Sequence, residues 1–239
     1  MRTVLVTNVE SYTGPGVVEV LSRYGYQVLC HDKAFADSDY RKRFSKRENV
    51  TALSAQTPRE IALEVEQVGE VLGFVMNDVH PNEPKPFEEI SLEEIRAAQE
   101  ALIEFPLQIC QAVLPRLKAN KQGSIVFITS ARQLQPEKGF ALATSVRAGA
   151  TALALAVARE VAPFNIQVNA IQPNYLYSEM YYPKATYMDD AEGRAHIASL
   201  VPSGRLGAPE EFGELVEFYI SGRSPFTTGQ VINFTGGWP

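Results

Sequence analysis

Three observations predict the fold class. Short β-branched runs alternate with longer stretches of helical period, the strand-like runs are apolar throughout rather than alternating, and 239 residues at 45% hydrophobic and 21% charged are enough to bury one full core. Together they predict an α/β chain, a doubly wound parallel sheet of about seven strands with helices on both faces, forming a single domain over residues 1–239.

The strands are expected at Val4-Leu5-Val6, Val28-Leu29-Cys30, Val50-Thr51-Ala52-Leu53, Leu72 to Met76, Ser124 to Ile128, Ile166 to Ile171 and Val231 to Phe234. Helical period falls between them, at Pro15 to Tyr24, Pro58 to Val68, Leu92 to Lys118, Ala141 to Val161 and Pro209 to Ile220. Pro58 and Pro209 suit the first turn, where a missing N–H costs nothing. No internal repeat or low-complexity linker interrupts this Rossmann-like order.

A net charge of -6 and a pI near 5.2 argue against nucleic acid or an anionic membrane as a partner. The basic cluster Arg41, Lys42, Arg43, Lys46 and Arg47 reads as a solvated helix face. Cys30 and Cys110 have no metal or CxxC spacing and read as buried reduced thiols. With no apolar run taken as a membrane span and a start already strand-like at Val4, the expected location is cytoplasmic. His31, His80 and His196 share no ligand spacing, so no metal is expected.

The first strand-to-helix turn is where a dinucleotide would meet backbone amides. Here it reads Thr7-Asn8-Val9-Glu10-Ser11-Tyr12-Thr13-Gly14-Pro15-Gly16. G-x-G-x-x-G fails because its third glycine falls on Glu19, and in T-G-x-x-x-G-x-G the first two fall on Asn8 and Tyr12. A phenol at position 12 projects into pyrophosphate space, so no cofactor is expected, and Asp32 reads as a loop cap rather than a ribose ligand.

Ser130 directly follows an apolar run, and Arg147 lies early in an alanine-rich helical segment. With Asn77-Asp78, Thr144-Ser145-Val146-Arg147-Ala148-Gly149-Ala150 and the Thr228-Gly229-Gln230 ending, these residues resemble the short-chain dehydrogenase/reductase superfamily. Val6-Thr7-Asn8-Val9 with Tyr12, Cys30-His31-Asp32, Phe127-Ile128-Thr129-Ser130 and Pro173-Asn174-Tyr175-Leu176 resemble, within it, the halohydrin dehalogenases, along essentially the whole chain.

That resemblance implies a cofactor-independent carbon-halide lyase. It converts vicinal haloalcohols to epoxides with release of halide, and in reverse opens epoxides with azide, cyanide or nitrite. It assigns Ser130 to the substrate hydroxyl, Arg147 to lowering a phenol pKa, and Asp78 to supporting Arg147. The halide or nucleophile site falls on Pro173, Asn174, Tyr175 and Leu176, walled by Tyr12 and Tyr182, with loop backbone amides as donors. His80, Leu134, Phe140, Leu142, Met180 and Trp238 are candidates for the substrate pocket, and a homotetramer built on helices such as Ala141 to Val161 is implied.

The family's tyrosine stands four residues before its arginine, on the same helix face, and here that position is Ala143. Loss of a positioned proton-transfer group lowers rate by about 10²–10⁴. Three explanations stand open: a tyrosine-to-alanine replacement that traps a ligand, recruitment of Tyr175, Tyr177 or a water held by Ser130 and Arg147, or a silent relative that binds anions or serves as a subunit. The alternatives to a dehalogenase are an NAD(P)-dependent oxidoreductase and a non-catalytic anion-binding protein.

Overall fold

The computed structural model describes residues 2–81 and 83–239. Seven parallel strands form one sheet in the order β3-β2-β1-β4-β5-β6-β7. They are β1 (Thr3–Val6), β2 (Gln27–Cys30), β3 (Val50–Ala52), β4 (Val71–Met76), β5 (Gly123–Ile128), β6 (Ile166–Pro173) and β7 (Val231–Phe234). All seven expected strands are present. The order reverses between β1 and β4, which opens a crevice at the carboxyl ends of the strands, the usual ligand position in such sheets.

Side-chain alternation divides the core into two layers. Leu5, Leu29, Phe74, Ile125 and Val168 face α3 (Pro58–Val68), α5 (Phe105–Asn120) and the far half of α6 (Ala141–Val161). Val4, Val6, Val28, Val75, Val126 and Ile128 face α1 (Gly14–Arg23) and α8 (Pro209–Ile220). Phe212 of α8 is fully buried there, and its side chain stabilises the layer by roughly 2–3 kcal/mol. The two helices approach closely because Gly16 and Gly213 lack side chains: a methyl on Gly213 would meet the Gly16 carbonyl at 2.7 Å.

Pro58 begins α3 as expected, with Thr57 Oγ1 accepting from Glu60 N at 3.3 Å and Glu60 accepting from Thr57 N at 3.0 Å. Pro209 begins α8, where Glu211 accepts from Ala208 N at 2.9 Å. Three expectations need correction. The stretch expected as one helix over Leu92 to Lys118 is α4 (Leu92–Gln99), a π-helical turn at Glu100–Glu104 and then α5. Pro106 has no N–H for the carbonyl four residues back, and the wider turn absorbs that mismatch. Of α2 (Ser38–Phe44) only a basic helix face was expected, and α7 (Ala191–Leu200) went unread. Of the basic cluster only Arg41, Lys42 and Arg43 are on α2. Finally, Ala141–Phe164 is long and apolar enough to pass for a membrane span by composition, with mean hydropathy 1.5, yet it packs along β6 as a core helix.

Candidate active site

A cavity of about 520 Å³ opens at the carboxyl ends of the strands. Its wall takes Tyr12 from the turn after β1, His80 from the loop after β4, Ser130 from the end of β5, Ala143 and Arg147 from α6, and Asn174 from the loop after β6. Residues far apart in sequence meet here because parallel strands all end on one edge.

Ser130 is extended (φ -157°) and caps a short 3-10 turn at Ala131–Leu134, its Oγ accepting from Arg132 N at 3.2 Å. Because that oxygen accepts, its proton is free for a ligand oxygen. Arg147 is buried and its Nη1 donates to the Ile128 carbonyl at 3.1 Å. Beneath it, Gln172 Nε2 donates to Thr151 Oγ1 at 2.9 Å, and the Thr151 and Thr129 hydroxyls are 3.0 Å apart. The chain Gln172–Thr151–Thr129 fastens α6 to β5 and β6, so Ser130 and Arg147 share one rigid frame.

Asp78 follows β4, buried, and accepts from Thr7 Oγ1 and Asn8 Nδ2, both at 3.2 Å. Burial pushes its carboxyl up to about 7, against the lowering pull of the Arg147 charge and of those two hydrogen bonds. Arg147 forms no ion pair among the described residues, so its charge and the Asp78 carboxyl meet through space rather than through a bond. Cys110 is buried near Asp78, and burial pushes its thiol up to about 12.

The turn after β1 is closed by Asn77, whose part the sequence did not disclose. Its Oδ1 accepts from Thr13 Oγ1 at 2.7 Å, and its Nδ2 donates to the Asn8 and Ser11 carbonyls, both at 2.9 Å. Held so, Asn8 (φ 49°) and Tyr12 (φ 52°) sit in the left-handed region, and the Tyr12 ring packs edge-on against Tyr181 at 5.0 Å. Burial raises the Tyr12 phenol far above its ordinary pKa, so it is no ready base. Asp32 caps as expected: its oxygens accept from Ala34 N at 3.0 Å and Glu10 N at 2.9 Å. With Tyr12 in the turn and Asn8 and Asp32 engaged internally, these residues do not fit a dinucleotide.

The structure brings together Tyr12, Pro173, Asn174 and Tyr182 of the expected anion site but not all of it. Tyr175, at φ 52°, turns its phenol away into a cluster with Ile197, Val201, Leu206 and Trp238, and Leu176 is buried against the sheet. The backbone amides expected as donors are also corrected in part, because Tyr175 N donates to Asn174 Oδ1 at 3.0 Å. That oxygen accepts from the Tyr182 hydroxyl as well, at 3.2 Å, which fixes the amide and leaves Nδ2 buried with no partner among the described residues. Burial raises the Tyr182 phenol well above its usual value, opposed by the Arg132 charge. Of the expected pocket residues, His80, Phe140 and Leu142 line the cavity. Leu134 and Met180 are exposed, and Trp238 lies in the Tyr175 cluster.

Ala143, in the first turn of α6, lines the cavity half-buried. Neither expected substitute for a tyrosine there lines it: Tyr175 is turned away, and Tyr177 gives its hydroxyl to Glu179 at 2.6 Å. No cluster of His, Cys, Asp and Glu suited to a metal occurs among the described residues. His31 is isolated, packed on Phe105 at 5.3 Å, and burial lowers its pKa to about 4.

This sheet order, with a Ser and an Arg held over the crevice, defines a class. The chain belongs to the short-chain dehydrogenase/reductase superfamily: a family model described as enoyl-(acyl carrier protein) reductase matches residues 13–239. A chloroplastic tropinone reductase homologue of Arabidopsis thaliana is 30% identical over 98% of this chain and 74% of its own length. More specifically, the chain is similar in structure to the halohydrin dehalogenase HheC bound to ethyl (2S)-oxiran-2-ylacetate, with TM-score 0.96 and 37% identity, covering 99% of this chain and 97% of that one. A protein described as a dehalogenation enzyme is similar too, with TM-score 0.93 and 33% identity over 100% and 98% of the two chains.

Proposed function

We propose that this chain is a cofactor-free halohydrin dehalogenase scaffold, acting on vicinal haloalcohols and on epoxides, with its proton-transfer residue missing at Ala143. The observation that carries the reading is Asn174. Its amide is pinned by Tyr175 N and the Tyr182 hydroxyl, so a buried donor is left over on the side where a dehydrogenase would hold its nicotinamide. A weakly hydrated anion needs such a donor more than a full countercharge. The similarity to HheC, which binds an epoxide ester, supports the same choice.

In this reading Ser130 donates to the substrate oxygen, and the Arg147 charge favours that oxygen as an alkoxide. The oxygen attacks the neighbouring carbon, the carbon-halogen bond breaks, and halide leaves with the electron pair towards Asn174, Tyr12 and Tyr182, past Pro173. Tyr175 and Leu176 shape that loop rather than touch the anion. The hydroxyl proton has no side-chain acceptor, so a water between Ser130 and Arg147 takes it slowly. Asp78 holds the field around Arg147. In reverse, azide, cyanide or nitrite opens the epoxide. A homotetramer paired through α6, whose Ala152 and Ala156 are exposed in the single chain, completes the proposal.

The test is halide release from a small vicinal haloalcohol by this chain and by Ala143→Tyr at equal concentration. The tyrosine variant is expected to be at least about 100-fold faster; two folded but silent proteins would overturn the reading. A second reading, an NAD(P)-dependent oxidoreductase, is favoured by the reductase family model and the tropinone reductase homologue. Titration with NADPH separates the two, since tight binding is incompatible with Tyr12 and Asn8 as they stand.

A further inference from the structure

Five charged side chains line the cavity among the described residues: Glu83, Lys85, Glu94, Arg132 and Arg147. Lys85 is matched to Glu94 by contacts of 2.8 and 2.9 Å, and Arg147 is committed to the Ile128 carbonyl and the field of Asp78. Arg132 is different. Its guanidinium lies over the Phe140 ring with Cζ 3.9 Å from the centroid, its Nη1 is buried with no partner among the described residues, and its side chain is only 15% exposed. The nearest counter-charge is Glu137, 3.8 Å from Nε and itself 41% exposed, too distant for a hydrogen bond.

A buried cationic donor without an acceptor is costly, and a ligand that supplies the acceptor recovers that cost. Stacking on Phe140 fixes the plane of the fork, and a planar fork is matched by a carboxylate, which can take two parallel N–H bonds, better than by a spherical halide. The cavity is also larger than a three-carbon haloalcohol requires, being within the range of sites that enclose whole substituted ligands. Ser130 and Arg132 share one short turn, linked by the Arg132 N to Ser130 Oγ bond, so the group that meets the reacting oxygen and the free guanidinium are held together.

We propose that Arg132 recognises a carboxylate carried by the substrate, so that the preferred haloalcohols and epoxides are halohydroxy acids and epoxy acids rather than neutral molecules. The inference rests on the reading of the cavity as a haloalcohol and epoxide site, and it adds the substrate class.

The test is calorimetric titration of the chain, with no nucleophile added, using oxiran-2-ylacetate and its ethyl ester as a matched pair, and sodium bromide separately. The acid is expected to bind at least about tenfold more tightly than the ester. Arg132→Met is expected to erase that preference and to weaken bromide far less than it weakens the acid, while Arg132→Lys, which keeps the charge and loses the fork, falls between. Glu137→Gln removes the competing anion and is expected to widen the preference, which keeps the test decisive should Arg132→Met fold poorly. Equal binding of acid and ester by both the chain and Glu137→Gln overturns the proposal. So does an Arg132→Met chain that loses bromide as strongly as the acid, since Arg132 would then serve the leaving anion. Halide release by Ala143→Tyr is scored apart. If that variant is active while acid and ester bind alike, only the role of Arg132 fails; if it is silent while the preference persists, the acid specificity stands and the dehalogenase reading fails.

Discussion

The turn after β1 and the loop after β6 stand at the same edge of the sheet and face the same cavity, yet they treat their polar groups in opposite ways. In the first, Asn77, Asn8, Thr13 and Asp32 all bond to one another or to nearby backbone. In the second, Asn174 keeps a buried donor without a partner among the described residues. Internal satisfaction stabilises a fold, whereas a leftover donor next to a cavity costs stability unless something binds. In the proposed reading, the difference separates a turn that is structural from a loop kept for a ligand. His31 tests the rule: both its ring nitrogens lack partners among the described residues, but it does not line the site cavity and packs on Phe105, where a neutral imidazole is tolerated.

The comparison breaks most visibly at Asn77. Asn77→Ala removes three side-chain hydrogen bonds and is expected to lower unfolding stability by about 3 kcal/mol. Urea unfolding measures this, and a loss below about 1 kcal/mol would mean the turn is not held as described. Asn174→Leu is the counterpart. It removes the unpaired donor but also the oxygen that accepts from Tyr175 N and the Tyr182 hydroxyl, so it is expected to cost about 1–2 kcal/mol, less than Asn77→Ala, while weakening bromide about 10- to 100-fold, read by titration; a destabilisation equal to that of Asn77→Ala would erase the distinction.

Asp78 sharpens it through pH. Its folded pKa of about 7 lies above the ordinary 3.8, so the folded chain holds the proton more tightly than the unfolded one. The sign follows: this stability is complete below about pH 4 and is lost as pH rises through about 7. His31, lowered to about 4, acts in the opposite sense over the same range, so the informative quantity is a difference. The melting temperature of Asp78→Asn minus that of the parent should rise steadily from pH 4 to pH 8, with the His31 contribution cancelling. A flat difference would show that Asp78 is ionised at no cost. The smallest effect is expected at Thr144, whose buried hydroxyl has no partner among the described residues. Thr144→Val should be neutral or stabilising by up to about 1 kcal/mol in thermal melts, unless a ligand uses that hydroxyl.

Much of the frame was legible because it depends on local signals. Apolar runs marked every strand, Pro58 and Pro209 marked helix starts, and Ser130 and Arg147 were singled out by family resemblance, one just after an expected strand and the other early in an expected helix. What escaped depends on contacts between distant segments. Nothing local in Asn77 indicates that it will clasp Ser11 and Thr13, and a pattern match cannot tell that Tyr175 takes a left-handed backbone and turns its ring from the cavity. Arg132 passed unremarked for the same reason: its interest lies in the partner it lacks, and that is a property of the folded neighbourhood. The π-helical turn escaped because the apolar stripe of Leu92 to Lys118 continues through it. A signal for it was available in Pro106.

Ala143 has one more consequence. It sits in the first turn of α6, half-buried at the cavity wall, while the fastening of that helix runs through Thr151, Thr129 and Gln172 further along. No side-chain hydrogen bond depends on it, and it is not among the core residues. A change between tyrosine and alanine there is therefore nearly invisible to folding. In the proposed reading, a lineage carrying this frame can lose or recover its chemistry in a single codon, with selection acting on turnover alone and protein quality control registering nothing.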